Sequence, residues 1–327
     1  MVQPDLLMAD ARAFMKSRVI LTGAQLDFFT KLHDTPNTAD EMAGAMKLDP
    51  RATTRVLDTL VTLGLIEKEN GLYRTTEEGT LFSSRHPQTV LPMVLHLSHL
   101  WETWSRLTDI VKGGPNPEQE PGVGMSEESR KSFIGAMHAI GHGLSMEIAG
   151  DYDLSPFKRL LDIGGGSGTY TIAFLKTNPR MTGVIFDLQS VISMARERIE
   201  AEGLEGRVEF VPGDFYGDEL PKGCDLALLS AIIHQNSPEE NLELYSKIRQ
   251  ALVPGGKVLI RDHVMDESRT APPAGAMFAL NMLVNTRGGD TYTFDEVKET
   301  LEKAGFVDVK LVRKGERMDC LVEATSV

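Results

Sequence analysis

The stretch LLDIGGGSGTY, residues 160–170, constrains this chain more than any other. An apolar run of strand length meets glycines at 164, 165, 166 and 168, and the helix-forming run TYTIAFLKT follows. A strand that turns sharply into a helix needs glycine where the backbone bends tightly. It also needs glycine where a ligand must approach the main chain with no side chain between. Strand-length apolar runs recur from there on: KRLLDIG (158–164), TGVIFD (182–187), RVEFVPG (207–213), CDLALLS (224–230) and GKVLIRD (256–262). Helical stretches such as LQSVISMARERIEAEG and PEENLELYSKIRQAL lie between them. This alternation predicts an α/β fold, a mostly parallel Rossmann-like sheet covered by helices on both faces. The end, FVDVKLVRKGERMDCLVEA, offers two strands around a charged turn, so an antiparallel hairpin should close the sheet.

At 327 residues the chain is long enough for two domains of ~150 residues each. Residues 1–105 have a different texture. DLLMADARAFMKSRVILTG, TADEMAGAMKLD and PRATTRVLDTLVTLGLI carry apolar residues at three- and four-residue spacing, the mark of helices with one buried face. Thr38 and Glu41 fit a capping box. LIEKENGLYRTTEEG reads as a hairpin turning on Asn70-Gly71, which completes a winged-helix-like pattern. The Gly/Pro-rich KGGPNPEQEPGVG (112–124) marks a hinge, so 106–150 is expected to connect this domain to a third segment, 151–327.

Composition removes several classes. With 34 Lys+Arg against 47 Asp+Glu the formal net charge is −13, which disfavours a general nucleic-acid binder. A winged helix that reads DNA concentrates positive charge on its recognition helix and wing. Here residues 1–110 hold 11 basic against 14 acidic residues, and the wing EKENGLYRTTEEG has four acids and two bases. A ligand-responsive DNA-binding regulator is therefore the weaker alternative. Cys224 and Cys320 have no metal-ligand spacing. His138 and His142 sit four apart, as do metal ligands on one helix face, but nothing completes a set, so no metal is expected. Asp5 and the lack of an early cationic run argue against a signal peptide, and Val90–Leu100 is too short to span a bilayer. A cytoplasmic protein is expected.

The glycine loop admits two cofactor classes. A dinucleotide site wants a third glycine where Thr169 stands. The pattern acid-x-G-x-G-x-G is met by Asp162, Gly164, Gly166 and Gly168, and an acid there suits the cationic, phosphate-free S-adenosylmethionine. Asp187, ending the next strand, can accept from both hydroxyls of a ribose. Asp214 can reach an adenine edge, with Phe215 against its face.

Taken together, the N-terminal helices, DIGGGSGT, FDL, GDF, LVPGGKVLI and the GG loop before EVKETLEKAGF resemble the plant-type small-molecule O-methyltransferases and their bacterial relatives. That group includes the caffeate and acetylserotonin O-methyltransferases, and the resemblance covers nearly the whole chain. It implies S-adenosylmethionine as cofactor, with Leu188 and Ser230 in family binding slots, Ser230 standing where the family has lysine. It implies that His234 is the general base and that Asp262, replacing a glutamate, orients it. The family's second glutamate falls on Thr291, beside Asp290, and its Asp-Trp after the histidine is Gln235-Asn236 here. Met137 and Met282 match two methionines that pinch a flat acceptor, a use that suits polarizable thioethers. The acceptor is expected to be a small aromatic or quinone-like molecule, methylated on oxygen, with carbon methylation the alternative. The resemblance also implies a homodimer through the N-terminal domain, for which Leu6, Leu7, Phe14, Val19, Ile20 and Leu21 supply apolar surface.

Overall fold

The computed structural model describes residues 4–115 and 127–327. The chain divides into two compact units, Met1–Trp101 with Met125–Ala139, and Glu102–Gly124 with Ile140–Val327.

In the first unit, helices Pro4–Gln25, Phe28–Lys31, Ala39–Met46 and Pro50–Thr62 precede an antiparallel hairpin of β1 (Ile66–Glu69) and β2 (Leu72–Thr75). The expected capping box forms, with Thr38 accepting from the Glu41 amide and Glu41 from that of Thr38. Asn70 and Gly71 turn the hairpin with positive φ of 50° and 82°, as a tight turn matched to strand twist requires. Phe28, Phe29, Leu32, Leu57, Leu60, Ile66 and Tyr73 form the core. Over that core Asp58 accepts from the Tyr73 hydroxyl and the Lys68 ammonium, both at 2.7 Å. The first helix departs from the expectation of one buried face. Only its C-terminal end is buried, at Leu21, Gly23 and Ala24, while Leu6, Leu7 and Phe14 are 62, 61 and 53% exposed in the single chain.

The second unit holds a seven-stranded sheet. Its strands are β3 (Arg159–Ile163), β4 (Thr182–Asp187), β5 (Val208–Pro212), β6 (Cys224–Ser230) and β7 (Leu252–Asp262), then β10 (Phe306–Arg313) and β11 (Cys320–Ser326). A short parallel pair, β8 (Val264–Met265) with β9 (Tyr292–Thr293), lies outside it. The order is β10-β11-β7-β6-β3-β4-β5, with β3 to β7 parallel and the last two strands antiparallel. The apolar runs are continuous because both faces are covered. Leu161, Ile163, Val184, Ala227, Leu229, Val258 and Ile260 pack into one layer, together with helices Pro238–Ala251 and Phe294–Lys303. Leu160, Ile185, Leu226, Leu228 and Leu259 pack into the other, with helices Thr169–Thr177 and Gln189–Ala201. From β3 the chain builds outward through β4 and β5, then returns to β6 on the other side. That reversal opens a crevice at the C-terminal strand ends, the place where sheets of this kind bind ligands. Gly164, Asp187, Asp214, Ser230 and Asp262 all lie at that edge.

Candidate active site

The glycine loop turns by backbone conformations that side chains resist. Gly164, Gly166 and Gly168 have φ of 64°, 56° and 74°. A Cβ at Gly164 would lie 2.6 Å from Ile232 Cδ1, whereas one at Gly166 would meet nothing within 4 Å. The loop is thus closed on the side of β6 and open above Gly166. Asp162 does not face that opening. It is buried beneath the loop, where its carboxylate accepts from the Thr171 hydroxyl at 2.6 Å. Burial, with a lesser push from the charge of Asp187, raises its pKa to about 6 against the Thr171 bond.

Asp187 is joined directly to the loop. Its carboxylate accepts from the Gly166 amide at 2.8 Å and from the Leu188 amide at 2.7 Å, with Leu188 at the N-cap of helix Gln189–Ala201. Burial pushes the Asp187 carboxyl above the usual range although both amides pull it down. Asp214 and Phe215 follow β5 and are half-buried. Phe215 lies against the loop, within 3.6 Å of the Cβ position of Gly164, and packs on Tyr216 with centroids 4.6 Å apart. The Ser230 hydroxyl accepts from Arg261 Nε at 2.7 Å, so it is held by a buried guanidinium that also donates to the Met318 carbonyl.

His234 and Asp262 meet. Imidazole Nδ1 lies 3.0 and 2.9 Å from the two Asp262 oxygens, so the shorter aspartate reaches the ring directly. His234 rides on a short 3-10 turn, Ile233–Gln235, two residues after the Ile232 that touches the glycine loop. Burial would raise the Asp262 carboxyl, but His234 outweighs it, aided by Arg261 and the His263 amide, and holds it below the usual range. An ionised Asp262 fixes the tautomer with Nδ1–H donating, which leaves the Nε2 lone pair free.

Helix Pro273–Asn285 supplies a cover. Phe278 packs edge-on against His234, 4.8 Å between centroids at 90°, and Met282 is buried one turn further along the same face. The GG loop closes on the histidine from another side, since a Cβ at Gly289 would lie 2.4 Å from the His234 carbonyl oxygen. Thr291 is buried and donates to the Gly275 carbonyl, while Asp290 pairs with Arg269, so neither takes the family glutamate's place at the imidazole. Gln235-Asn236 has its own use. Asn236 is fully buried, accepts from the Tyr216 hydroxyl at 2.6 Å and donates to Asn241, which in turn donates to the Ile233 carbonyl. Met137 belongs to the first unit, where it is exposed. Trp104 donates to Asn281, and Trp101 lies under the Arg18 guanidinium. Among the described residues no cluster of three or more His, Cys, Asp or Glu side chains could hold a metal, and no helix is long and apolar enough to cross a membrane.

Comparison with known proteins identifies the family. Residues 104–307 match the O-methyltransferase domain family, and residues 8–85 match the O-methyltransferase dimerisation domain. The chain belongs to the S-adenosylmethionine-dependent O-methyltransferase family. The tetracenomycin polyketide synthesis 8-O-methyl transferase TcmO of Streptomyces glaucescens is 30% identical to this methyltransferase over 91% of the chain and 90% of its own length. The 3-hydroxy-5-methyl-1-naphthoate 3-O-methyltransferase of Streptomyces sahachiroi is 30% identical over 95% and 91%. The human N-acetylserotonin methyltransferase, solved in complex with S-adenosylmethionine, superposes with a TM-score of 0.83 at 26% identity, covering 100% of this chain and 98% of that one.

Sequence reasoning on this O-methyltransferase missed Phe278, His263 and the Asn236 network. Phe278 was within reach, because it lies one helical turn before Met282. The other two depend on loop geometry that no periodicity encodes.

Proposed function

We propose that this methyltransferase moves a methyl group to a hydroxyl of a small aromatic or quinone-like molecule, with His234 as general base. The observation that carries the reading is the buried His234–Asp262 pair, whose turn packs through Ile232 on the glycine loop. The donor set suits the cofactor. Gly166 opens onto free space, and Asp187 offers a carboxylate held by two amides for the ribose hydroxyls. Asp214 and Phe215 stand at the next strand end for the adenine. When bound, S-adenosylmethionine supplies a methyl carbon already activated by a positive sulfur.

The protein's own task is alignment and proton removal. The glycine loop, Asp187 and Asp214 would hold the cofactor, which would supply the methyl group, while His234 Nε2 would take the proton of the acceptor hydroxyl. Asp262 stabilises the imidazolium that results. Phe278 and Met282 offer flat, polarizable packing for an aromatic acceptor on the helix that covers His234. The names of the two Streptomyces relatives, a tetracenomycin enzyme and a naphthoate enzyme, support an aromatic acceptor. Calorimetry tests the cofactor. S-adenosylhomocysteine should bind tightly and NAD should not, and the reverse result would retire the reading. A screen for methyl transfer from labelled cofactor into host-cell metabolite extract, with mass spectrometry of the product, then identifies the acceptor and tells oxygen from carbon methylation.

The dimerisation-domain match supports a homodimer, and the exposed Leu6, Leu7 and Phe14 give a partner apolar surface to bury. Light scattering at micromolar concentration should give twice the chain mass; a monomer mass would refute it.

A further inference from the structure

His263 is a second buried imidazole beside the first, and the chemistry above does not use it. Its residue is 6% exposed, and its Nδ1 is buried with no hydrogen-bond partner among the described residues. A buried polar atom left unpaired carries a desolvation cost that nothing offsets, so such atoms in folded proteins tend to mark a place where a ligand or water completes the set. The surroundings identify the place. His263 directly follows Asp262, and its amide donates to the Asp262 carboxylate at 2.8 Å. Its ring packs on Phe278 with centroids 5.1 Å apart, and the same phenyl ring touches His234 at 4.8 Å. Gly275, one turn before Phe278, lies alongside. A Cβ there would stand 3.6 Å from His263 Nδ1 and 2.3 Å from the sulfur of Met265. Gly275 and Phe278 thus turn one helix face toward His263, and the Phe278 ring also reaches His234.

We propose that His263 is an acceptor-recognition residue, hydrogen-bonding a second oxygen, hydroxyl or carbonyl, that neighbours the hydroxyl facing His234. The proposal rests on the methyltransferase reading. A neutral imidazole carries one N–H donor and one acceptor nitrogen, so it can pair with either kind of oxygen. Burial holds the His263 pKa below the usual histidine range, against the pull of Asp262 and with the repulsion of His234 and Arg261, so the ring is neutral at pH 7. Two imidazoles against one phenyl ring then read two adjacent oxygens on a flat molecule. His234 takes a proton from one, and His263 selects for the other.

The test uses two probes that differ by one oxygen, β-naphthol and the naphthalenediol with adjacent hydroxyls, titrated into the intact protein saturated with S-adenosylhomocysteine. One added hydrogen bond should make the wild type bind the diol about fivefold or more tightly than the naphthol. His263→Phe keeps a ring against Phe278 and removes both nitrogens, so the preference should fall below about twofold. His263→Asn, which retains a donor and an acceptor, should restore part of it. Calorimetry with S-adenosylhomocysteine reports that each variant is folded. A wild type with no preference for the diol, or a His263→Phe variant that keeps it, overturns the proposal. Failure of the wild type to bind S-adenosylhomocysteine is a different result, and it removes the methyltransferase reading itself.

Discussion

Replacing His234 with alanine should lower the turnover rate by ~10²-fold or more, because positioned proton removal contributes on that scale. S-adenosylhomocysteine affinity should barely move, since the imidazole belongs to the acceptor side of the proposed site. The pH profile carries more information than the rate. The Nε2 lone pair of His234 accepts the hydroxyl proton during transfer, so the wild type should turn over without prior ionisation of the acceptor. The variant should instead track the ionisation of the acceptor itself. Asp262, 1% exposed, loses the main partner that holds its pKa down, so in the variant its carboxyl pKa should rise. Asp262→Asn should give a milder loss with the wild-type profile shape, because it disturbs the tautomer and leaves the base in place. If His234→Ala keeps full rate at neutral pH, alignment alone carries the reaction or the acceptor atom is carbon, and oxygen transfer with a histidine base must be given up.

How far the sequence led depends on whether a feature is periodic or positional. Strands β3 to β7 were legible because apolar runs buried on both faces have few other readings, and the glycines of 164–168 fixed which strand end turns into a helix. The closing hairpin was legible for another reason, two strand-length runs around a charged turn, since its outer strand β10 is largely exposed. Asp187 and Asp262 could be placed at the C-terminal edge of the sheet because each ends a strand, a position that sequence can locate. Asp162 shows the limit. Its spacing matches the acidic position of the motif, yet its side chain alternates to the helix-covered face and is taken by Thr171. Ser230 likewise sits at the right strand end with its hydroxyl held by Arg261. Which way a loop folds back depends on close packing, such as Gly289 on the His234 carbonyl, and no pattern of residue types announces that contact. The apolar N-terminal helix was expected both to bury a face and to serve a partner; within the chain only its C-terminal end is buried, and Leu6, Leu7 and Phe14 stay exposed.

Changing Asp187 to alanine should weaken cofactor binding by about 2–3 kcal/mol, the scale of two charge-assisted hydrogen bonds to the ribose hydroxyls. The geometry argues for a large effect. Both carboxylate oxygens are already oriented by backbone amides, Gly166 at 2.8 Å and Leu188 at 2.7 Å, so little entropy remains to be lost when the hydroxyls arrive. The substitution also frees the Gly166 amide and loosens the loop it anchors, which adds to the loss. The pH dependence has a definite sign. The ionised carboxylate accepts from both hydroxyls and the protonated form cannot, so affinity is full above the carboxyl's pKa and lost as pH falls through it. Burial lifts that pKa above the usual aspartate range, so the loss should begin at higher pH than for an exposed aspartate. Calorimetric titration of S-adenosylhomocysteine across pH 4 to 8 tests both points in one series, the variant giving a weak and nearly flat profile. Equal affinity of variant and wild type at neutral pH would remove Asp187 from the ribose while leaving the glycine loop as the cofactor's cradle.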